Sequence, residues 1–167
     1  MISEPILLDK SHDTSLFDCG KEPLDLFLKG YALVNQQGGL ARTYVAISEG
    51  KVVGYYSLAP AGVEPAEAPE RVMKGQPQHP VPCILLARLA VDKSAQGTGL
   101  GKFLFRDALL RALRAHNEIG GRAFLVHAID DEAKAFYSKY GMLPSPTHPM
   151  HLFLLFKDIR SMLVART

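Results

Sequence analysis

The sequence has few of the residues that cross-link a chain or anchor it in a membrane. Its 167 residues include only two cysteines, Cys19 and Cys83, and no tryptophan. Two isolated cysteines exclude a disulfide framework and a cysteine-based zinc site. No apolar run approaches the ~20 residues of a membrane span, because Arg88 interrupts the best candidate, CILLARLAV. The first residues lack a secretory signal, and we expect one cytoplasmic domain that covers residues 1–167.

The charge of the chain is modest in total but unevenly distributed. Charged residues make up 22% of the sequence and the net charge is +2. In residues 88–122, seven basic and three acidic side chains give a charge of +4 and leave −2 for the rest. Helical i,i+4 pairs such as Asp107–Arg111 are one interpretation of this segment. For the cluster as a whole, attraction of a polyanion is the better interpretation.

The pattern of apolar residues predicts an α/β (α+β) fold with a mixed sheet and helices on both faces. A hairpin is predicted around Glu49-Gly50, and the strand–helix–strand order of the second half predicts parallel strands there. Residues 60–82 hold six of the eleven prolines and are expected to form a loop with at most one helical turn. The predicted strands are 6–8, 83–91, 123–129 and 151–159, besides the hairpin, and the predicted helices are 15–39, 100–117 and 131–141.

A glycine-rich turn between a predicted strand and a predicted helix is the most informative motif. The strand ends in Leu89-Ala90-Val91-Asp92, and Gln96-Gly97-Thr98-Gly99-Leu100-Gly101 follows. Such turns bind phosphate, because glycine lets backbone N–H groups approach and the start of the helix is positive. A dinucleotide-binding loop requires glycine where Lys102 stands. A nucleoside-triphosphate loop requires glycine at Gln96 and serine or threonine at Phe103.

The turn fits the pattern Q/R-x-x-G-x-G/A and resembles the acetyl-CoA pyrophosphate loop of the GNAT (GCN5-related N-acetyltransferase) superfamily. In this interpretation the Gln96 side chain adds a hydrogen-bond donor and Lys102 adds a charge. The segment DDEAKAFYSKYGM resembles a second GNAT signature, although Asp130 and Met142 replace the usual asparagine and phenylalanine. The resemblance implies a mostly antiparallel sheet with a splayed parallel strand pair that holds acetyl-CoA, and it implies that Tyr137 is catalytic. The implied cofactor-binding residues are Leu89, Ala90, Val91, Gln96, Gly97, Thr98, Gly99, Leu100, Gly101 and Lys102.

Several further blocks resemble the GNAT toxins of bacterial toxin–antitoxin pairs, of the TacT and AtaT kind. They include FDCG, LDLFL, ARTYVAI, GYYSLAPAGV, ARLAVDKSAQGTGLGKFL and LFLLFKDI, and they span about residues 5–160. This resemblance implies acetylation of the α-amino group of aminoacyl-tRNA and therefore a block of translation. It also implies a ribbon-helix-helix antitoxin and a homodimer. Among the basic residues, we expect Arg88, Lys93 and Arg106 to bind the tRNA.

The chemistry of acetyl transfer agrees with these assignments. A backbone N–H near Val91 can bind the thioester oxygen as charge develops there, and the Tyr137 phenol can protonate the leaving thiolate. The sequence contains no obvious general base, which favours an α-amine with a pKa of about 7.7–8.0 over a lysine side chain with a pKa of about 10.4. Two other functions stay open: a small-molecule or protein N-acetyltransferase without a toxin role, and a non-catalytic domain that binds CoA or a protein partner.

The histidines give weaker indications of a functional site than the motifs above. His127 lies in a predicted buried strand and is expected to be a core residue. His148 and His151 flank Pro149 in a predicted loop and have no sequence partners at metal-ligand spacing, so we predict no metal.

Overall fold

The structure is a computed structural model that describes residues 1–164. Among these residues, seven strands form one mixed sheet in the order β1-β2-β3-β4-β5-β7-β6. The strands are β1 (Ile6–Leu7), β2 (Arg42–Ser48), β3 (Lys51–Val63), β4 (Val81–Val91), β5 (Ala123–His127), β6 (Leu143–Pro144) and β7 (His151–Leu155). The α-helices are α1 (Glu22–Gly30), α2 (Ala32–Gln37), α3 (Glu70–Met73), α4 (Leu100–Ile119), α5 (Asp131–Ser138) and α6 (Phe156–Val164). None of the helices within residues 1–164 is both long and apolar enough for a membrane span.

The chain divides into two compact units. The first comprises Met1–Ala59 and Ala87–Ala108, and the second comprises Pro60–Leu86 and the chain from Leu109 onward. Strands β3 and β4 and helix α4 have residues in both units. That residues 1–167 form a single domain stays a prediction.

The first unit is built on the predicted hairpin, which is confirmed. β2 and β3 pair antiparallel, with Ser48 opposite Lys51. The two turn residues between them, Glu49 and Gly50, have φ of 50° and 76°. Positive φ at both central residues is typical of a type I′ turn, and the twist of this turn matches that of the flanking strands. Helices α1 and α2 pack their apolar residues with this hairpin around Tyr55, in a core of Leu8, Phe17, Leu24, Phe27, Leu28, Ala32, Val45, Val52 and Ala90.

The helix predicted over residues 15–39 is wrong in its first third. α1 begins only at Glu22, with Pro23 in its first turn, where proline is compatible with a helix. The preceding residues form turns that aspartate side chains stabilise: Ser15 N–H donates to Asp13 Oδ1 at 3.0 Å, and Gly20 N–H donates to Asp18 Oδ1 at 3.0 Å. Aspartate competes with a helix in this way because its side chain bonds nearby backbone groups.

The second unit contains the predicted parallel pair. β4 and β5 run parallel over four residue pairs, from Cys83–Ala123 to Leu86–Val126. β4 continues to Val91 beyond the last of these pairs. β5 then pairs antiparallel with β7, so only part of the second half is parallel. The core of this unit includes Val63, Val72, Val81, Leu125 and Phe153.

The strand predicted over residues 151–159 is too long. β7 ends at Leu155, and α6 begins at Phe156. Phe156, Ile159 and Leu163 are the buried residues of α6, and this spacing places them on one helix face. The loop predicted over residues 60–82 is shorter than expected, because β3 and β4 extend into it at both ends.

Arg122 has a structural role that its place in the basic segment did not suggest. Its Nε donates to the carbonyl oxygen of Val72 at 2.8 Å, and its Nη2 lies 3.3 Å from the carbonyl oxygen of Lys74. The last carbonyls of a helix have no partner within the helix. The Arg122 guanidinium therefore caps the C-terminal end of α3.

We expect Arg122→Ala to lower the free energy of unfolding by about 1.5–3 kcal/mol, because hydrogen bonds to charged groups are worth this much. Urea denaturation of the purified protein measures the change. Arg114→Ala is the matched control, since Arg114 is exposed on α4 and such changes usually stay within about 0.5 kcal/mol. Equal stability of the two variants would contradict the capping role.

Candidate active site

The predicted phosphate loop lies in the first unit, between β4 and α4, and the loop around Asp18 holds it in place. The side chain of Asp92 accepts hydrogen bonds from Ser94 N–H at 2.9 Å and from Asp18 N–H at 2.8 Å. Lys93 N–H donates to the Asp18 carbonyl oxygen at 2.8 Å. The pKa of Asp92 is below its usual value: partial burial opposes this shift, but the hydrogen bonds to the carboxylate outweigh it.

The Gln96 side chain stabilises this loop through two hydrogen bonds. Its Nε2 donates to the carbonyl oxygens of Cys19 and Val91, each at 2.9 Å. An amide NH₂ group has two hydrogens, so both are used within the protein. The expectation that this side chain donates to phosphate therefore needs correction. Instead, the two hydrogen bonds of the Gln96 side chain connect the FDCG segment to the end of β4.

Two glycines of the loop are needed for their backbone conformation. Gly97 and Gly99 have φ of 79° and 89°, which residues with a Cβ rarely adopt, although a Cβ at either position would meet no atom within 4 Å. Gly101 is different, because it lies in the first turn of α4 without positive φ. A Cβ there would lie 3.8 Å from Val91 Cγ2, which is an ordinary contact.

The start of α4 offers free backbone donors. The first four N–H groups of a helix have no carbonyl partner within it. Phe103 N–H donates to the carbonyl oxygen of Gly99 at 3.1 Å, which leaves Leu100, Gly101 and Lys102 as donors toward an anion. The positive end of the helix dipole adds to the attraction. A cavity of about 380 Å³ adjoins this point and is lined by Ile2, Ser3, Thr98, Gly99, Leu100 and Phe103.

Close packing holds the first turn of α4 against the hairpin. A Cβ on Gly54 of β3 would lie 3.0 Å from side-chain atoms of both Leu100 and Leu104. Contacts this short are tighter than nearly all Cβ contacts and would force both leucine side chains to shift, so glycine at this position lets α4 approach the sheet. Thr98 Oγ1 donates to the Ala95 carbonyl oxygen at 2.5 Å and closes the turn. On β4, Leu89 and Val91 are half-buried, and Ala90 belongs to the core.

Tyr137 lies in the second unit, on α5, and is 6% exposed. Burial raises its pKa, so the phenol keeps its proton and is a hydrogen-bond donor at neutral pH. Its ring packs edge-to-face with Phe136, with 5.2 Å between the ring centroids. Asp130, which departs from the GNAT signature, caps this helix by accepting from Ala133 N–H at 2.8 Å. Aspartate and asparagine are both good N-cap residues, so the substitution keeps this function.

The three predicted tRNA-binding residues belong to the first unit and differ in their surroundings. The Arg88 Cζ lies 3.7 Å from the centroid of the Phe27 ring, a cation–π contact. Lys93 Nζ lies 3.3 Å from Asp18 Oδ2, and both side chains are more than half exposed. Arg106 is half-buried on α4, four residues after Lys102, so the two lie on one helix face.

His127 is exposed, so the prediction of a core residue is wrong. It is the last residue of β5, and its ring stacks on that of His151 with 3.8 Å between centroids; the His148 ring lies 4.7 Å from that of His151. Although the residue is exposed as a whole, one face of its ring is covered by His151. This shielding from water, followed by repulsion from His151 and His148, lowers the pKa of His127 to about 4. Sequence spacing alone could not reveal the cluster, because strand pairing joins residues 24 positions apart. No group of three histidine, cysteine or acidic side chains within residues 1–164 is arranged to hold a metal.

A comparison with known protein families identifies the enzyme class of this chain. Residues 39–141 match the family described as "Acetyltransferase (GNAT) domain". The chain belongs to the GNAT acetyltransferase family. It is therefore an acyltransferase that uses acetyl-CoA as its acetyl donor. The mixed, mostly antiparallel sheet with one parallel pair agrees with the GNAT fold.

Individual GNAT relatives are similar over nearly the whole chain. A Mycobacterium tuberculosis protein named "tRNA-acetylating toxin" is 47% identical over 161 residues, which are 96% of each chain. The structure of AtaT complexed with acetyl-methionyl-tRNAfMet has a TM-score of 0.88 and 29% identity, over 98% of this chain and 99% of that one. A tyrosine-to-phenylalanine mutant of AtaT, bound to the C-terminus of the antitoxin AtaR and to acetyl-CoA, has a TM-score of 0.83 and 26% identity, over 98% and 99% of the chains.

Proposed function

We propose that this GNAT acetyltransferase is a toxin that acetylates the α-amino group of aminoacyl-tRNA and so inhibits translation. The observation that carries the proposal is the 47% identity to the tRNA-acetylating toxin over 96% of both chains. The concentration of positive charge in residues 88–122 supports a polyanionic acceptor.

Acetyl-CoA binds, in this proposal, along β4 and the start of α4. The backbone N–H groups of Leu100, Gly101 and Lys102 bind the pyrophosphate, and the Lys102 ammonium adds a charge. The pantetheine arm bonds the backbone of Leu89 and Ala90, and the Val91 N–H binds the thioester oxygen as negative charge develops. Gln96, Gly97, Thr98 and Gly99 contribute through the loop backbone, since the Gln96 amide is occupied.

Tyr137 is the proposed general acid. Burial raises the pKa of its phenol, so the phenol keeps its proton and donates a hydrogen bond to the thiolate as the carbon–sulfur bond breaks. The acceptor nitrogen loses a proton as it forms its bond to the acetyl carbon, and this proton balances the one that the thiolate takes up through Tyr137. The acceptor must present an uncharged amine. An α-amine, with a pKa of about 7.7–8.0, is partly neutral at pH 7 and reacts without a strong base.

Arg88, Lys93 and Arg106 bind the acceptor tRNA in this proposal. The cytoplasm supplies both substrates.

We further propose a ribbon-helix-helix antitoxin as the neutralising partner and a homodimer as the active assembly. Co-expression of the toxin with its neighbouring gene product, followed by size-exclusion chromatography with light scattering, tests both.

Changing both Arg88 and Lys93 to Glu should weaken tRNA binding and flatten its salt dependence. Each phosphate contact contributes about 0.7–0.9 to the slope of log affinity against log salt, so two lost contacts lower the slope by about 1.4–1.8. Fluorescence anisotropy across a salt series measures it. The matched control changes Lys10 and Lys51 to Glu, which alters the net charge equally outside residues 88–122. Identical slopes for the wild type and the Arg88/Lys93 variant would remove these residues from the tRNA site.

Transfer of labelled acetyl groups tests the proposed function as a whole. Acetyl-CoA labelled in the acetyl group is incubated with the protein and total charged tRNA. We expect label in the RNA fraction with charged tRNA and none with deacylated tRNA. A panel of polyamines, amino acids and aminoglycosides tests the small-molecule alternative, and label in that panel alone would establish it instead.

A further inference from the structure

A groove in the first unit has features of a nucleotide-binding site. Its cavity volume is about 410 Å³. Apolar and aromatic side chains line most of it, and two polar side chains, Arg88 and Asn35, complete it; small-ligand sites combine these features. The lining residues are Pro23, Leu26, Phe27, Tyr31, Asn35 and Arg88.

The Arg88 guanidinium in this groove is held in place without a hydrogen-bonding partner. Phe27 covers one face of it at 3.7 Å. Within residues 1–164, no carboxylate, carbonyl or hydroxyl group accepts a hydrogen bond from Arg88. A guanidinium carries five N–H donors in a planar fork that matches a phosphate. A half-buried cation with unmet donors indicates an anionic ligand.

Tyr31 and Asn35 supply the other two elements that bind a nucleotide. Tyr31 stands at the break between α1 and α2, where its backbone has φ −127° and ψ −28°, and it is 62% exposed. An exposed aromatic ring is a surface on which an unpaired base can stack. Asn35 follows one helical turn later, and its carboxamide has no hydrogen-bond partner in the described part of the chain. Asparagine pairs bidentately with adenine through N6 and N7.

We propose that this groove binds the 3′-terminal adenosine of the acceptor tRNA, with the base stacked on Tyr31, its edge bonded to Asn35 and its phosphate bonded to Arg88. The inference rests on the proposed function and names the part of the substrate that the site recognises. The end of a tRNA is single-stranded, so its terminal base is free to stack. Arg88 directly precedes Leu89–Val91 on β4, the segment assigned to the pantetheine arm, so a nucleotide held there places its 3′ ester beside that segment.

The test compares tRNA ending in CCA with the same tRNA trimmed to CC, both uncharged, by fluorescence anisotropy. Loss of one stacked base typically weakens binding by roughly 5- to 150-fold. The wild type should therefore bind the intact tRNA more tightly by at least about 5-fold. Tyr31→Ala should lose the stacking part of this preference and bind the intact tRNA about 5-fold or more weakly than the wild type does, while its affinity for the trimmed tRNA should equal that of the wild type.

A tRNA ending in CCC tests the Asn35 contact. The wild type should prefer CCA to CCC, and Asn35→Ala should lose this preference. Val34→Ala is the matched control, because Val34 lies on the same helix, is 65% exposed and does not line the groove; it should bind all three tRNAs like the wild type.

Three results would overturn the inference. The first is a Tyr31→Ala variant that binds the intact and trimmed tRNAs with equal losses, and the second is one with no loss on either. The third is a loss of acetyl-CoA affinity in Tyr31→Ala, measured by calorimetry, which would assign the groove to the donor. Acetyl transfer by the wild type to charged tRNA is measured in parallel. No transfer at all would count against the proposed function, whereas transfer without dependence on Tyr31 counts only against the groove.

Discussion

Gly101→Asp is expected to abolish most acetyl-CoA binding while the protein stays folded. The substitution places a carboxylate in the first turn of α4, beside the N–H groups assigned to the pyrophosphate. It would repel the phosphates and compete for their donors. Charge-assisted hydrogen bonds are worth about 1.5–3 kcal/mol each, so losing two of them alone weakens binding by about 10²-fold or more.

The fold should tolerate this change for three separate reasons. Gly101 has no positive φ, and a Cβ there would meet only Val91 Cγ2 at 3.8 Å. Replacing glycine removes a poor helix former. An acidic side chain in the first turn complements the helix dipole by about 0.3–1 kcal/mol. Stability should therefore be unchanged or higher.

Isothermal titration calorimetry and thermal unfolding measure the two effects separately. Gly62→Asp is the matched control, because Gly62 also lacks positive φ and has open space around it; its affinity for acetyl-CoA should be that of the wild type. A Gly101→Asp protein that binds acetyl-CoA normally would disprove the assignment of the loop. Gly97 and Gly99 are unsuitable for this test, because their positive φ would add strain to any substitution.

Tyr137→Phe is expected to lower the turnover number by about 10²–10⁴-fold, the usual contribution of a general acid. The change removes only the hydroxyl group and keeps the ring that packs against Phe136. Affinity for acetyl-CoA should change little, because the proposed contacts to the donor come from β4 and the start of α4.

Single-turnover kinetics and acetyl-CoA calorimetry separate the two quantities. Tyr140→Phe is the matched control, since Tyr140 also packs edge-to-face against Phe136 and is not assigned to the chemistry. Turnover near that of the wild type in Tyr137→Phe would make this residue a packing residue only. An equal loss in both variants would indicate a disturbed helix rather than a missing acid.

Local sequence patterns predicted the parts of the fold that depend on neighbouring residues. The hairpin follows from the two β-rich runs on either side of Glu49-Gly50, and α4 follows from a glycine turn and a long run of helix formers. The parallel pairing of β4 with β5 follows from the helical crossover of a strand–helix–strand unit, which returns the chain to the same end of the sheet. The loop of the GNAT signature was identified because its glycines, spacing and flanking elements all agree.

The sequence did not predict features that depend on distant residues. Gln96 bonds the Cys19 carbonyl, 77 positions away, and Arg122 caps a helix about 50 positions away. The same limit applies to the groove of Arg88, because Phe27 of α1 and Tyr31 at the end of that helix are distant from Arg88 in the sequence. At the end of β7, an apolar run continued the strand pattern, and only the burial of Phe156, Ile159 and Leu163 reveals a helix.

Identification of the acetylated product tests the central claim most directly. After reaction with labelled acetyl-CoA and charged tRNA, the tRNA is digested with ribonuclease and its 3′-terminal fragment is analysed by tandem mass spectrometry. The account predicts an aminoacyl-adenosine that carries one acetyl group on its α-amino nitrogen. An acetyl group found on a tRNA base, or only on free amines of small molecules, would contradict it.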